Sequence, residues 1–450
     1  MKTITVCIIT AAAAWAQGVV QPRFPPRLPP TPLSALLREA ERDNPAIRRA
    51  RRMWRAARRI PSQVSSLPDP EFNFSTMNVG GPLPLTGQFD QMMGYAGIGV
   101  SEALPFPGKL RLRGDMAARA AAVAGENVAA VRRGVVAAVA STYYAIGGLQ
   151  ETLAILARDR RLLAVVAQVA ANRYAVGKGN QADVLRAQLE MTRLLARRTV
   201  QQREWAIAEA RLKQLLNRPL ASPPIVAARL QQSPPPPAPP RLAAGIATNP
   251  DLRARALETA RAQLGVRLAH RNFYPDFRIG YMYQATGPSF PYRSDFSVGV
   301  SLPVFFHRKQ DAALSQAGEA LAASRDAYAA ERESLAYQAR QWYLQARADA
   351  QLLRIYRGGL LPQAAATWRA TLSEYESGRE DFQTVIAAFL DYQNMQESYW
   401  RTLARHETAL ARLREVAGAY GPPPGRQPGA APASGPGRGA LGVGTRGGKP

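Results

Sequence analysis

At 450 residues with a formal net charge of +25, the chain has room for about three ordinary domains and enough basic charge to raise nucleic-acid binding. The distribution of that charge argues against it. Lysine occurs only at positions 2, 109, 178, 213, 309 and 449, and the arginines are scattered along Ala-rich stretches without clustered stacking aromatics, as on a solvated helical surface. The single cysteine, Cys7, excludes a disulfide framework, and no later segment holds the 18 or so consecutive apolar residues of a membrane-spanning helix.

The first element is a leader. One lysine, an apolar run over 4–15 and the small-x-small end Ala14-Trp15-Ala16 read as a secretory signal peptide, 1–16, which would take Cys7 with it. Residues 17–32 are dense in proline and read as an extended leader lying on a surface or disordered. A helical pattern covers 33–60, with Asn44-Pro45 expected to kink or restart it and Pro61, Pro68 and Pro70 expected to close it.

Two strand-like runs follow, 71–79 with Phe72 and Phe74 on one side, and 94–104 with Ala96, Ile98 and Val100 on one face. A turn-rich loop separates them. A helix is predicted over 109–176, a reversal at Gly177-Lys178-Gly179-Asn180, and a returning helix over 181–217. Residues 219–240, with their PPPP run, read as a stiff linker.

The same plan then recurs. A helix over 241–271 carries Asn249-Pro250 as the first carried Asn44-Pro45. Strands are predicted at 277–285 and 295–302 with strict alternation, Phe277, Ile279, Tyr281 and Tyr283 on one face of the first, and Phe296, Val298 and Val300 on one face of the second. A long helix over 308–376, kinked near Gly358-Gly359 and Pro362, turns at Ser377-Gly378-Arg379 into a helix over 381–417. The tail, 421–450, has the composition of a disordered segment.

The two turns anchor the repeat. At an offset of 201, Tyr174 matches Tyr375, Gly177 matches Gly378, Val184 matches Val385, Ala187 matches Ala388 and Leu189 matches Leu390. A solenoid unit is about 20 to 50 residues, so this is a duplicated domain, 33–218 and 241–420. Helix rise adds a constraint: each long helix spans about 100 Å, and each returning helix of about 55 Å plus an N-terminal helix of about 45 Å covers it. The strands have the length of tilted transmembrane strands, one face apolar and the other small or polar. Four strands cannot close a membrane barrel, so a barrel would be shared between chains.

This order of elements, with Tyr-x-x-Gly followed by Val184-Leu185 and Ala187, or by Val385-Ile386 and Ala388, resembles the TolC-like outer membrane efflux proteins over about residues 33–420. The stretches PDPEFNFSTMNVGG from Pro68 and ALPFPGKLRLR from Ala103 resemble the branch serving heavy-metal efflux pumps. The resemblance implies a mainly α fold with a small β part, built from a duplicated helix-β-β-helix-helix unit. It implies a homotrimer whose twelve strands form one barrel in the outer membrane and whose helices form a periplasmic tunnel. The tip turns Val176-Gly177-Lys178 and Ser377-Gly378-Arg379 would dock a periplasmic adaptor (membrane fusion protein) linked to an inner-membrane pump, and Phe277, Ile279, Tyr281, Tyr283, Phe296, Val298 and Val300 would face outer membrane lipid. Asp183 and Tyr375 match gate positions, giving one candidate lock, whereas Thr384, Ala387 and Glu380 depart from the usual acidic constriction and its arginine.

Catalytic and cofactor motifs are not found. His270, His307 and His406 lack metal-ligand or triad spacing, and Gly108-Lys109 lacks the rest of a phosphate loop. Met77 and Met282 could face a lumen, with Met92 and Met93 in the external loop, but none has ligand spacing, so no metal or cofactor site is assigned. The reading is a passive exit duct for drugs, metal ions or other cargo, and no enzyme. The rivals are a periplasmic coiled-coil adaptor or structural protein of an envelope transport complex, and a nucleic-acid-binding helical protein, which the signal peptide contradicts.

Overall fold

The computed structural model describes residues 28–77, 95–236, 238–286 and 292–418. The signal peptide, most of the leader, the loop with Met92 and Met93, and the tail lie outside them.

The chain opens with α1 (Leu33–Asp43) and α2 (Pro45–Ala57), broken at Asn44. Pro45 has no N–H for the preceding turn, and Asn44 leaves the helix with ψ of 125°. Its Oδ1 accepts from Ala46 N at 2.9 Å, capping α2, while its Nδ2 donates to the Leu215 carbonyl at 2.7 Å. Pro61, expected to close this segment, instead opens α3 (Ile60–Ser65), since a proline in the first turn forfeits no helical bond.

Next come β1 (Glu71–Met77) and β2 (Tyr95–Leu104), then α4 (Lys109–Ala175), 67 residues without a break. Helix α4 passes straight through Gly147-Gly148 because neighbours occupy the space: a Cβ on Gly147 would lie 2.6 Å from Leu230 Cδ2. After α5 (Gln181–Leu216), the Pro-rich segment is a strap packed on α4 rather than a free spacer. Ile225, Ala227 and Leu230 are buried, Ala227 N donates to Gln150 Oε1 at 3.0 Å, and Thr31 of the leader bridges to Ala227. The strap ends in α6 (Pro239–Ala247).

The later elements are α7 (Pro250–Arg271), β3 (Asp276–Thr286), β4 (Arg293–Ser301), α8 (Gln310–Ile355), α9 (Leu361–Ser377) and α10 (Phe382–Ala417). Asn249 acts as Asn44 does, accepting from Asp251 N at 2.8 Å and donating to the Val416 carbonyl at 2.8 Å. Where a kink is expected near Gly358-Gly359 and Pro362, α8 and α9 are joined by a π turn, Tyr356–Leu360, in which Leu361 N–H reaches back to the Tyr356 carbonyl. The wider turn gives Pro362 room where its ring would clash with a regular helix. Strand ends differ from expectation by one or two residues, and Leu302 falls just outside β4, next to Pro303.

Helix α4 is the spine, packed on α1, α2, α3, α5, α7 and α10, while α7 and α10 also pack on α8. The Asn44 and Asn249 links show how short helices make long columns: α2 takes up where α5 ends, and α7 where α10 ends. Apolar cores fill the spaces between columns, one around Leu36, Ile47, Ile146, Leu212 and Leu403, another toward the turns around Leu163, Ala187, Trp368, Val385 and Phe389. At the far end the strands form one antiparallel sheet of order β1-β2-β3-β4.

Asn44→Ala or Asn249→Ala removes a helix cap and a buried bond to a helix-end carbonyl, an expected loss of about 2–3 kcal/mol in denaturant unfolding of the assembled protein. Asn44→Ser keeps only the cap and should recover about 1 kcal/mol.

Candidate functional site

Strand register sorts the sheet into two faces. Cross-strand partners share a face, so Phe72, Val100, Tyr281 and Phe296 line up, as do Phe74, Ile98 and Tyr283, and Leu104, Phe277 and Val300. All seven residues expected to face lipid, Phe277, Ile279, Tyr281, Tyr283, Phe296, Val298 and Val300, stand exposed on this one face. Sequence reasoning left Phe72, Phe74, Ile98 and Val100 out of that set, although Phe72 is 85% exposed. In β1 the alternation is broken by Thr76 and Met77, and in β2 it is diluted by Gly97 and Gly99 on the opposite face, where a Cβ on Gly97 would meet the Tyr283 carbonyl at 2.9 Å. That face also carries Asn73, Ser101, Arg278, Gln284 and Asp295, with Gln284 Nε2 donating to Asp295 Oδ2 at 2.8 Å. Met282 lies here and accepts from Ser75 Oγ at 3.5 Å and Gln284 Nε2 at 3.0 Å, which makes it a packing residue of the polar face.

A buried lysine joins sheet to helices. Lys109 Nζ sits 2.7 Å from Asp276 Oδ1 and donates to the Tyr274 carbonyl at 3.0 Å, and Phe106 N donates to Asp276 Oδ1 at 2.7 Å. This tie welds the start of α4 to the start of β3. No local pattern of residues marks it, since its partners are 165 to 170 residues apart.

At the other end, α4 turns into α5 and α9 into α10 by one geometry. Gly177 (φ +70°) and Gly378 (φ +80°) are left-handed. Lys178 N bonds the Arg173 carbonyl and Arg379 N the Glu374 carbonyl, both at 2.8 Å, satisfying helix ends as in a Schellman motif. Val176, Gly177, Lys178, Ser377, Gly378 and Arg379 are all exposed. Arg173 brings the turns together: its guanidinium lies 4.6 Å from the Tyr375 ring centroid, donates to the Tyr375 carbonyl and reaches the Lys178 carbonyl at 3.1 Å. Arg186 Nη1 adds a bond to Gln383 Oε1 at 3.2 Å. Thr384 supports the cap of α10, where Asp381 Oδ1 accepts from Thr384 N at 2.7 Å.

The matched tyrosines differ. Tyr174 is 49% exposed, whereas Tyr375 is 2% exposed, edge-on to Phe382, with no hydrogen bond to its hydroxyl within the chain. Burial, and after it the charge of Asp183, pushes the Tyr375 hydroxyl above its ordinary range, while Arg173 pulls it down. Asp183 is half-buried and near enough for its charge to act, but the two groups are not bonded to one another.

Between α4 and α10 lies a polar seam. Asp159 has a side chain 1% exposed with neither oxygen hydrogen-bonded, its nearest cation being Arg158 Nε at 3.5 Å. Burial pushes its pKa up to about 6 against the pull of Arg158. Gln393 and Gln396 are buried, each with one amide atom unbonded, and burial also raises Glu397. Among the described residues no three His, Cys, Asp or Glu side chains group as metal ligands. His406 is buried between the Ala346 and Ser233 carbonyls, at 3.0 and 3.3 Å.

With this geometry in hand, the comparisons with known proteins are direct. The profile of the outer membrane efflux protein family matches residues 36–218 and 244–419. No protein of curated function matches the sequence. Among solved structures, the chain is similar to VceC from Vibrio cholerae at 17% identity and a TM-score of 0.72, over 86% of this chain and 96% of that one. It is similar to the open state of the MtrE outer membrane channel of Neisseria gonorrhoeae at 18% identity and 0.72, over 86% and 88%. The outer-membrane channel OprN gives 16% identity and 0.74, over 86% and 89%.

Asp159 binds its proton more tightly folded, at about 6, than unfolded, at about 3.9. Its burial therefore costs nothing below about pH 4, and stability falls as pH rises from there to about 6, then levels. Asp159→Asn removes that fall, so the variant's stability advantage, read by unfolding across this range, should grow up to about pH 6 and then stay constant. An advantage independent of pH would show that the carboxyl is solvated.

Proposed function

The chain belongs to the outer membrane efflux protein family, and from that premise we propose that three copies pool their strands into one barrel of twelve and align their helical columns around a continuous periplasmic duct. The observation that carries this reading is the sheet: four strands, one face apolar, and two edge strands, β1 and β4, without outer partners within the chain. In lipid each unpaired backbone group costs several kcal/mol, and the smallest membrane barrels use about eight strands, so neighbouring copies are the natural partners for β1 and β4. The small polar face then lines the lumen. The rival periplasmic coiled-coil adaptor has no use for such a sheet.

In this reading 33–218 and 241–420 are two copies of one unit, each supplying a strand pair and a helical hairpin. The exposed turns at Gly177 and Gly378 are the docking points for a periplasmic adaptor, through which an inner-membrane pump supplies the energy. The duct does no chemistry. It offers a water-filled path, closed at the tip until the adaptor engages.

The gate pairs Tyr375 with Asp183. A buried hydroxyl without an acceptor, beside a carboxylate whose charge it feels, needs only a side-chain rotation to gain a charge-assisted bond. The purified full chain should be a trimer that conducts ions in a planar bilayer, and Tyr375→Phe and Asp183→Ala should each raise the single-channel conductance. Unchanged conductance rejects the lock, and a non-conducting single subunit rejects the duct.

A further inference from the structure

Where the apolar face of the sheet stops and the helices begin, the chain holds a cavity of about 820 Å³ lined by Phe106, Pro107, Gly108, Arg111, Leu112, Arg267, His270 and Arg271. Its charge is one-sided. Among the described residues Arg111, Arg267 and Arg271 form no ion pair with a carboxylate, and no Asp or Glu lines the space.

One of the three guanidiniums, that of Arg271, is held beside aromatic rings. Phe106 and Tyr274 stack with centroids 4.6 Å apart, and Arg271 lies 6.0 and 5.7 Å from them. Phe106 is two residues beyond Leu104, which pairs with Phe277 in the last apolar row. Arg111 is in the first turn of α4, and Arg271 ends α7. The cavity is thus at the depth where acyl chains give way to headgroups, if the sheet spans the outer membrane as proposed above. We propose that it binds the phosphodiester headgroup of an anionic phospholipid of the periplasmic leaflet. The guanidiniums take the phosphate by forked hydrogen bonds, and Phe106 and Tyr274 take the glycerol and upper acyl chain. Three cations around one phosphate favour a lipid that brings net negative charge over a zwitterionic one.

The test is native mass spectrometry of the full chain from nanodiscs of mixed phosphatidylglycerol and phosphatidylcholine, counting lipids retained. The triple variant Arg111→Gln, Arg267→Gln, Arg271→Gln should lose retained phosphatidylglycerol by at least about tenfold, at about 1 kcal/mol per cation near the surface. A matched control removes as much charge elsewhere: Arg48→Gln, Arg52→Gln, Arg55→Gln on the exposed side of α2, which packs by Trp54 on Gly125, about 24 Å along α4 from its start. The control should retain phosphatidylglycerol as the unaltered chain does. Equal loss in both variants, or loss in neither, overturns the site, and displacement by inorganic phosphate overturns the lipid assignment. Bilayer conductance of the same preparations separates the readings: a conducting protein indifferent to the triple change leaves the duct standing and removes the lipid site, while a non-conducting one removes the duct.

Discussion

Everything long in this molecule depends on an asparagine placed where two helices meet end to end. A helix terminus leaves about four N–H or four C=O groups without partners, and burying such an end among other helices would be costly. Asn44 and Asn249 satisfy both sides of the join at once, accepting from the helix that starts and donating to a terminal carbonyl of the helix that stops. The join also sets the negative end of one helix dipole against the positive end of the next. Proline at the following position fixes the entry geometry and gives up an N–H that would otherwise need a partner. Two short helices thereby stand in for one, and the spine α4 is covered along its length.

The spine's two ends carry different physics. At the sheet end a buried ion pair, Lys109 with Asp276, and one backbone bond from Phe106 fix strand to helix. At the turn end Tyr375 and Phe382 close the apolar core, the turn residues themselves stand exposed, and Arg173 supplies several of the polar contacts between the turns. Such a distribution puts rigidity beside the sheet and leaves the turns able to rearrange. The same turn motif is used twice with different surroundings, Tyr174 in solvent and Tyr375 in the core, so the two hairpins are not equivalent.

Much of this was legible in the sequence because it follows from local rules. Asn-Pro marked the helix joins, glycine with its repeated neighbours marked the turns, and strict alternation marked β3 and β4. What escaped has a physical reason in each case. The alternation of β1 breaks where Thr76 follows Phe74 on the apolar face and Met77 falls on the polar one, and β2 carries Gly97 and Gly99, so Phe72 and Ile98 were left out of the exposed apolar set. Pro362 with Gly358-Gly359 marked the disturbed place in its helix, but not that the disturbance takes the form of one widened turn. The Pro-rich strap buries Ile225 and Leu230 against α4, and nothing in its composition distinguishes that from a free spacer. Long-range ties such as Lys109 to Asp276 have no local signature at all.

The bare edges of the sheet have a consequence for how the protein comes into being. A newly made copy shows Phe72, Ile98 and Phe296 to water and backbone donors at both flanks, which is a template for aggregation. Its passage to the envelope therefore calls for an escort that hides those strands. Under the shared barrel proposed above, no single copy would settle in the bilayer, so insertion would become a matter of encounter, steeply dependent on how many copies are at hand, and the cell's supply would set the pace at which finished pores accumulate.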